Sequence, residues 1–286
     1  MRWEDLRRST NVEDRRGFGI ARAGGFKIGG CGLLLLVIVS FIFGINPLEI
    51  LGILQQQAPA PQQQQAPGQA PPTNDPQTEF VRAVLGDQED TWNKLFQDMG
   101  GQYEPPRLIL FREAVQSACG FASAAVGPFY CPRDKQVYLD LGFFDELSRR
   151  FGAPGDFASA YVIAHEVGHH VQNLTGIAEK VMQQRSRVSE ESGNELSVRQ
   201  ELQADCFAGV WGHYAQQRNV LEAGDVDEAL NAAAQIGDDR MQMETKGYVS
   251  PESFTHGSSE QRARWFRTGL ESGDVNRCDT FNVRTL

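Results

Sequence analysis

His165-Glu166-Val167-Gly168-His169 sets two imidazoles four residues apart, with a carboxylate directly after the first. On a helix, residues i and i+4 lie on one face about a turn apart, so both rings can reach one metal ion. Glu166 sits about 100° round the helix from His165, near enough to act on a water at that ion without ligating it. The chemistry served by such a pattern is zinc-dependent hydrolysis, most often of peptide bonds. The same five residues also arise by chance on ordinary helices, so the rest of the chain must supply what the chemistry needs.

A catalytic zinc takes three protein ligands and keeps a fourth position for water. The third ligand must come from an element packed against the motif helix. Glu201 is the candidate, because it forms Glu-x-x-x-Asp with Asp205, again an i, i+4 pair. Glu201 can bind the metal while Asp205 accepts the free ring N–H of a ligand histidine and fixes its tautomer. A solvated helix face would display similar carboxylates, and Glu195, Arg199 and Gln200 show that this helix has one. Against that, Cys206-Phe207-Ala208-Gly209-Val210-Trp211 follows Asp205 directly and reads as core. On the residues alone, Glu190, Glu191 and Glu195 remain competitors to Glu201.

Of the other histidines, His170 points elsewhere round the motif helix and is read as structural, not as a ligand. His213, two turns beyond Asp205, is read as a packing or surface residue. His256 lies in Phe254-Thr255-His256-Gly257-Ser258-Ser259, a loop feeding a helix N-terminus. From there it can stabilise the oxyanion developing on a scissile carbonyl; a loop residue with no chemical role is an equally good reading. In the mechanism this implies, Glu166 takes a proton from water and passes it to the leaving amine.

The elements that must position these groups follow from periodicity. Apolar residues at helical spacing surround the motif from 156 to about 187, with Asp156 as N-cap. A polar break at 189–194 precedes a second helix over 195–218. Asp225 caps a third through Ile236, and Ser258 with Gln261 forms a capping box opening a last helix to about Leu270. Upstream, Phe80, Val81, Val84, Leu85, Trp92, Leu95 and Phe96 mark an amphipathic helix, and a helix begins at Phe143. Residues 107–111 read as a strand; 129–131 and 136–141 read as two strands joined by the 132–135 turn. The strand at 136–141 is taken as an edge able to hold an extended peptide. The fold class is α+β: a mostly helical zincin-like metallopeptidase domain with a small β-sheet or hairpin, preceded by a single transmembrane helix.

The 286 residues suffice for one sizeable catalytic domain with appendages, and a net charge of −10 argues against a nucleic-acid partner. Residues 1–27 are polar and Arg-rich and read as a short, weakly structured cytoplasmic tail. Residues 28–45 carry no charge, are apolar on every face and suit a retained single-pass anchor. Lys and Arg lie on the N-terminal side, and none occurs from there to Arg82, so the positive-inside rule places the tail in the cytoplasm and the rest outside. Residues 46–78 are a linker, Gln/Ala/Pro-rich from Gln55 onward. The metallopeptidase domain spans 79–286. The bilayer is contacted through 28–45, with the domain outside the cytoplasm.

The strings HEVGHHVQNLTG (165–176), RQELQADCFAGVW (199–211), CGFASAAVGPFYCPRDKQVYLDLGFF (119–144) and THGSSEQR (255–262) resemble the bacterial neutral zinc metallopeptidases, membrane-anchored proteins of the cell envelope. The resemblance covers nearly the whole chain and implies the bacterial cytoplasmic membrane as the location, with the catalytic domain periplasmic or extracellular. The sequence is also similar to the gluzincins, in which a Glu-x-x-x-Asp helix follows the motif helix. That similarity implies Glu201 as third ligand, Asp205 behind a ligand histidine, one Zn2+ per chain and a peptide or protein substrate. The extended H-E-x-x-H-x-x-G-x-x-H pattern is absent, since residues 172–175 hold no third histidine.

In an exported domain Cys119, Cys131, Cys206 and Cys278 can pair, with Cys31 in the span. Three connectivities are open; Cys119–Cys131 and Cys206–Cys278 are preferred, as a local pair and as a tie from the Glu201 helix to the C-terminus. The alternative function is a catalytically silent envelope protein that binds or assembles on a peptidase fold.

Overall fold

The computed structural model describes residues 1–17 and 75–286. The expected span 28–45 and all but the end of the expected linker lie outside them. Among the described residues no helix is long and apolar enough to cross a membrane.

Helix α1 (Pro76–Asp98) begins with proline in its first turn, and Asp75 caps it by accepting the Gln77 N–H. Strand β2 (Arg107–Phe111) follows. A small antiparallel hairpin, β3 (Ala114–Ser117) and β4 (Gly120–Ser123), stands apart from the main sheet. Then come β5 (Phe129–Cys131) and β6 (Gln136–Asp140), antiparallel to one another as their alternation predicts. β6 also pairs in parallel with β2, placing Ile109 opposite Tyr138. The sheet order is β1-β2-β6-β5, where β1 is Val12–Asp14.

Two expectations are corrected here. The strand at 136–141 is not an edge: β6 is bonded on both sides, and the edges are β1 and β5. The first sixteen residues are not a loose tail. They belong to the same compact unit as the helices that carry the histidine motif, and β1 pairs in parallel with β2. Neither could be read from period, because strand order depends on which segments meet, not on their own alternation.

The helical part consists of α2 (Gly142–Arg149), α3 (Asp156–Leu174), α4 (Ile177–Arg185), α5 (Glu190–Gln217), α6 (Asp225–Gln235), α7 (Asp238–Lys246) and α8 (Ser259–Ser272). The continuous helix expected over 156–187 breaks at Gly176, whose φ of 74° ends α3 and starts α4. Asp156 is the first helical residue and not its cap; Glu228 of α6 instead accepts the Phe157 N–H at 3.1 Å. Asp225 likewise begins α6 without capping it. α5 starts a turn earlier than expected, where Ser189 accepts the Ser192 N–H. The Ser258–Gln261 capping box forms as read.

Helix contacts centre on α5. At its crossing with α3, a Cβ on Gly168 would stand 2.9 Å from the Ala204 carbonyl oxygen. At its crossing with α8 a Cβ on Gly209 would stand 2.0 Å from the Phe266 carbonyl oxygen, and one on Gly269 would stand 1.9 Å from that of Cys206. Backbone meets backbone at both places, which only glycine permits. Around these crossings Phe157, Tyr161, Leu202, Trp211 and Phe266 are fully buried, with Phe157 stacked on Trp211. Each such side chain contributes about 1.5–3 kcal/mol through burial. The two preferred disulfides are formed: Cys119–Cys131 joins the β3–β4 turn to β5, and Cys206–Cys278 ties α5 to the C-terminal segment.

Candidate active site

α3 presents His165 and His169 on one face, ring centroids 4.8 Å apart. α5, held against α3 at Gly168 and Ala204, presents Glu201 to both. Glu201 Oε2 lies 3.1 Å from His165 Nε2 and 3.4 Å from His169 Nε2. The three donor atoms all fall within 4.8 Å of one another. Donors about 2 Å from a tetrahedral zinc ion stand roughly 3.3 Å apart, so the set fits that ion. Glu190, Glu191 and Glu195 are exposed.

Both imidazoles are held from behind. His165 Nδ1 is 2.7 Å from Asp205 Oδ1, and His169 Nδ1 is 2.9 Å from Gln172 Oε1. With each Nδ1–H donated backward, each Nε2 lone pair is turned toward Glu201. Gln172 is fixed in turn: its Nε2 donates to the Gln200 carbonyl and to Gln203 Oε1, while Gln203 donates to the Cys278 carbonyl. The Cys206–Cys278 bridge therefore sits beside the support of one candidate ligand.

Asp205 is fully buried and accepts from three side chains: His165, Tyr161 Oη at 2.6 Å, and Arg262. Arg262, also buried, grips both carboxylate oxygens, Nε to Oδ2 at 2.9 Å and Nη2 to Oδ1 at 3.0 Å. It further donates to Tyr161 Oη and to the Ile236 carbonyl. A buried carboxylate on its own would be costly; a bidentate guanidinium supplies the opposite charge with matched geometry.

The electrostatics among these side chains follow. Burial by itself would lower the His165 pKa, but the charge and hydrogen bond of Asp205, with the bond to Glu201, raise it to about 10. His169 is raised for the same kind of reason, Glu201 outweighing burial. Burial works against the Glu201 charge, yet the two imidazoles hold it well below the usual carboxylate range.

Glu166 lines the same cleft as His165, His169 and Glu201, a cavity of about 460 Å³ whose walls include Phe129, Tyr130, Phe143 and Phe151. His256 lies on this cleft too, its side chain half exposed. Its Nδ1 is 3.2 Å from Asp238 Oδ1, while Asp238 Oδ2 accepts the backbone N–H groups of Thr255, His256 and Gly257. Asp238 thus clamps the loop at the start of α7, and its hydrogen bond raises the His256 pKa. His170 faces away from the cleft, between Tyr130 Oη and the Glu104 carbonyl, where burial lowers its pKa to about 4. His213 packs against the Leu270 carbonyl.

Reading the sequence singled out His165, Glu166, His169, Glu201, Asp205 and His256, and one cleft holds five of them with Asp205 directly behind. It missed Tyr161, Gln172, Arg262 and Asp238. The first two had a signal, one turn before His165 and three residues after His169. Arg262 and Asp238 had none, since their partners lie 57 and 18 residues away in sequence.

Comparison with known proteins agrees with this geometry. The family described as "Putative neutral zinc metallopeptidase" matches residues 1–281. "Uncharacterized protein YpfJ" of Escherichia coli K12 is 48% identical over 285 residues, covering 98% of this chain and 99% of that protein. "Uncharacterized protein Rv2575" of Mycobacterium tuberculosis H37Rv is 47% identical over 195 residues, 64% of this chain and 65% of that one. No solved structure matches. By the extent of the family match, this chain belongs to the family described as "Putative neutral zinc metallopeptidase".

Proposed function

We propose that the protein hydrolyses peptide bonds in the cell envelope, with one zinc ion held by His165, His169 and Glu201. The observation carrying this reading is the meeting of His165 Nε2, His169 Nε2 and Glu201 Oε2 on a cleft that Glu166 also lines. Zinc bound there supplies Lewis acidity toward water and the scissile carbonyl. Glu166 accepts a proton from the attacking water and returns it to the leaving amine. His256, oriented by Asp238, donates from Nε2 to the oxygen that gains negative charge. Asp205, Tyr161 and Arg262 hold His165 in place, and Gln172 holds His169. β5, the sheet edge whose Phe129 and Tyr130 line the cleft, can take an extended substrate as an added strand.

The two disulfides support an oxidising compartment for this domain. Residues 28–45 supply the contact with the bilayer, on composition. The acidic net charge supports a protein or peptide substrate over nucleic acid.

The test is metal content and peptide cleavage by the purified full-length protein beside Glu166→Gln. The wild type should hold one zinc per chain and cleave members of a broad peptide library; Glu166→Gln should keep zinc and lose cleavage. If both hold zinc and neither cleaves, the enzymatic reading fails and the silent binding protein takes its place.

A further inference from the structure

Glu89, on α1, is 3% exposed. Its carboxylate takes hydrogen bonds from three side chains: Ser9 Oγ at 2.6 Å, Asn11 Nδ2 at 2.8 Å and Arg7 Nη2 at 2.8 Å. All three belong to the first sixteen residues. One turn earlier on the same helix is Gly86, where a Cβ would stand 2.4 Å from the Arg7 carbonyl oxygen. Glycine in a helix interior is less stable than alanine; here the missing Cβ is what lets the segment lie on the helix.

The segment is bound along its length. Trp3 meets Phe80 edge-on, ring centroids 5.6 Å apart. The Ser9 N–H donates to the Arg82 carbonyl, the Leu108 N–H to the Asn11 carbonyl and the Arg15 N–H to the Leu110 carbonyl. β1 sets Val12, Glu13 and Asp14 opposite Leu108, Ile109 and Leu110. At its end Arg16 pairs with Asp75 at 2.7 Å and donates to Thr78 Oγ1.

We propose that residues 1–16 are a permanent strand and clamp of the catalytic domain, and that the two share one aqueous compartment. A hydrogen-bonded strand pair cannot have a bilayer between its strands. The arrangement expected from charge, amino terminus inside and catalytic domain outside, is therefore replaced by one with both on the same side. The charge argument loses force for a physical reason. Arg7, Arg8, Arg15 and Arg16 are each paired with a carboxylate: Glu89 and Asp90, Glu79, Glu13, and Asp14 and Asp75. They are committed within the fold and do not form a free cationic flank.

The experiment labels single cysteines in the full-length protein in spheroplasts with a membrane-impermeant maleimide. Cys31→Ser removes the fifth cysteine, and Glu4→Cys or Glu271→Cys, both at exposed positions, adds one. Labelling after permeabilisation gives the total for each. The two positions should react from the same side; one reacting before permeabilisation and the other only after it overturns the proposal. Docking is read separately on the purified full-length protein. Arg7→Glu, which sets a carboxylate against Glu89 and Asp90, should speed tryptic cleavage after Arg8 by about tenfold or more. If wild type is cut there as fast as the variant, the segment is not held and the proposal fails.

Discussion

Gly168 and Ala204 touch where the helix bearing His165 and His169 crosses its neighbour: a Cβ on Gly168 would stand 2.9 Å from the Ala204 carbonyl oxygen and 3.0 Å from its Cα. Glu201 lies three residues before Ala204, so this contact sets the reach of Glu201 toward His165 and His169. Gly168→Ala should therefore lower stability by about 1–3 kcal/mol through overpacking, where the same change on an unobstructed helix would raise it by about 1 kcal/mol. Zinc affinity should fall with it, since the helices must move apart. Thermal denaturation and titration against a competing chelator give both quantities, and a more stable variant with full affinity would remove the contact from this role.

Arg262 is the charge partner of Asp205. Arg262→Met leaves a buried carboxylate without its guanidinium and should cost about 3–5 kcal/mol of stability. Loss of support behind His165 should also weaken zinc binding about 10- to 100-fold. In a double-mutant cycle with Asp205→Asn the two changes should be strongly non-additive. Additive effects would mean that Arg262 serves the fold only through its bonds to Tyr161 and Ile236.

His256 has a narrower task. His256→Ala should lower kcat by about 100-fold or more, with zinc content and KM close to those of the wild type. Asp238→Asn loosens the loop that carries His256 and should give a smaller fall of the same kind. An unchanged kcat in His256→Ala would return that residue to a purely structural part.

Proton linkage of the metal-free protein has a definite sign. The His165 pKa is raised from 6.5 to about 10, and that of His169 is raised too. A raised histidine contributes stability that is fully present below its unfolded value and is lost as pH climbs through the folded one. Chelator-treated protein should thus lose stability between pH 6.5 and about 10. Zinc needs the same ring nitrogens free of protons, so its apparent affinity should rise across that window. Melting curves and zinc titrations over this range check both slopes; parallel slopes would contradict the linkage.

Glu201 shows where reading by pattern ends. Its pairing with Asp205 at i, i+4 was visible, but so were Glu190, Glu191 and Glu195. Choosing among them required knowing which turn of α5 meets α3, and the Gly168–Ala204 contact answers that. The edge strand shows the same limit: β5 and β6 were both legible as strands, yet only the pairing of β6 with β2 moves the free edge to β5.

By itself the sequence determined what backbone geometry settles within a turn or two: two imidazoles on one helical face, the carboxylate beside the first, the Glu201–Asp205 pair and the capping box at Ser258. It also determined, by resemblance, the family. Only the tertiary structure decided which carboxylate faces the imidazoles, that Arg262 stands behind Asp205, that Asp238 holds His256, and that Ser9 and Asn11 reach Glu89. The reason is physical. Helical periodicity is local, whereas these partners are 18 to 80 residues apart and meet only where backbones can approach, at glycines whose missing side chains show nothing of their neighbours until the chain is folded.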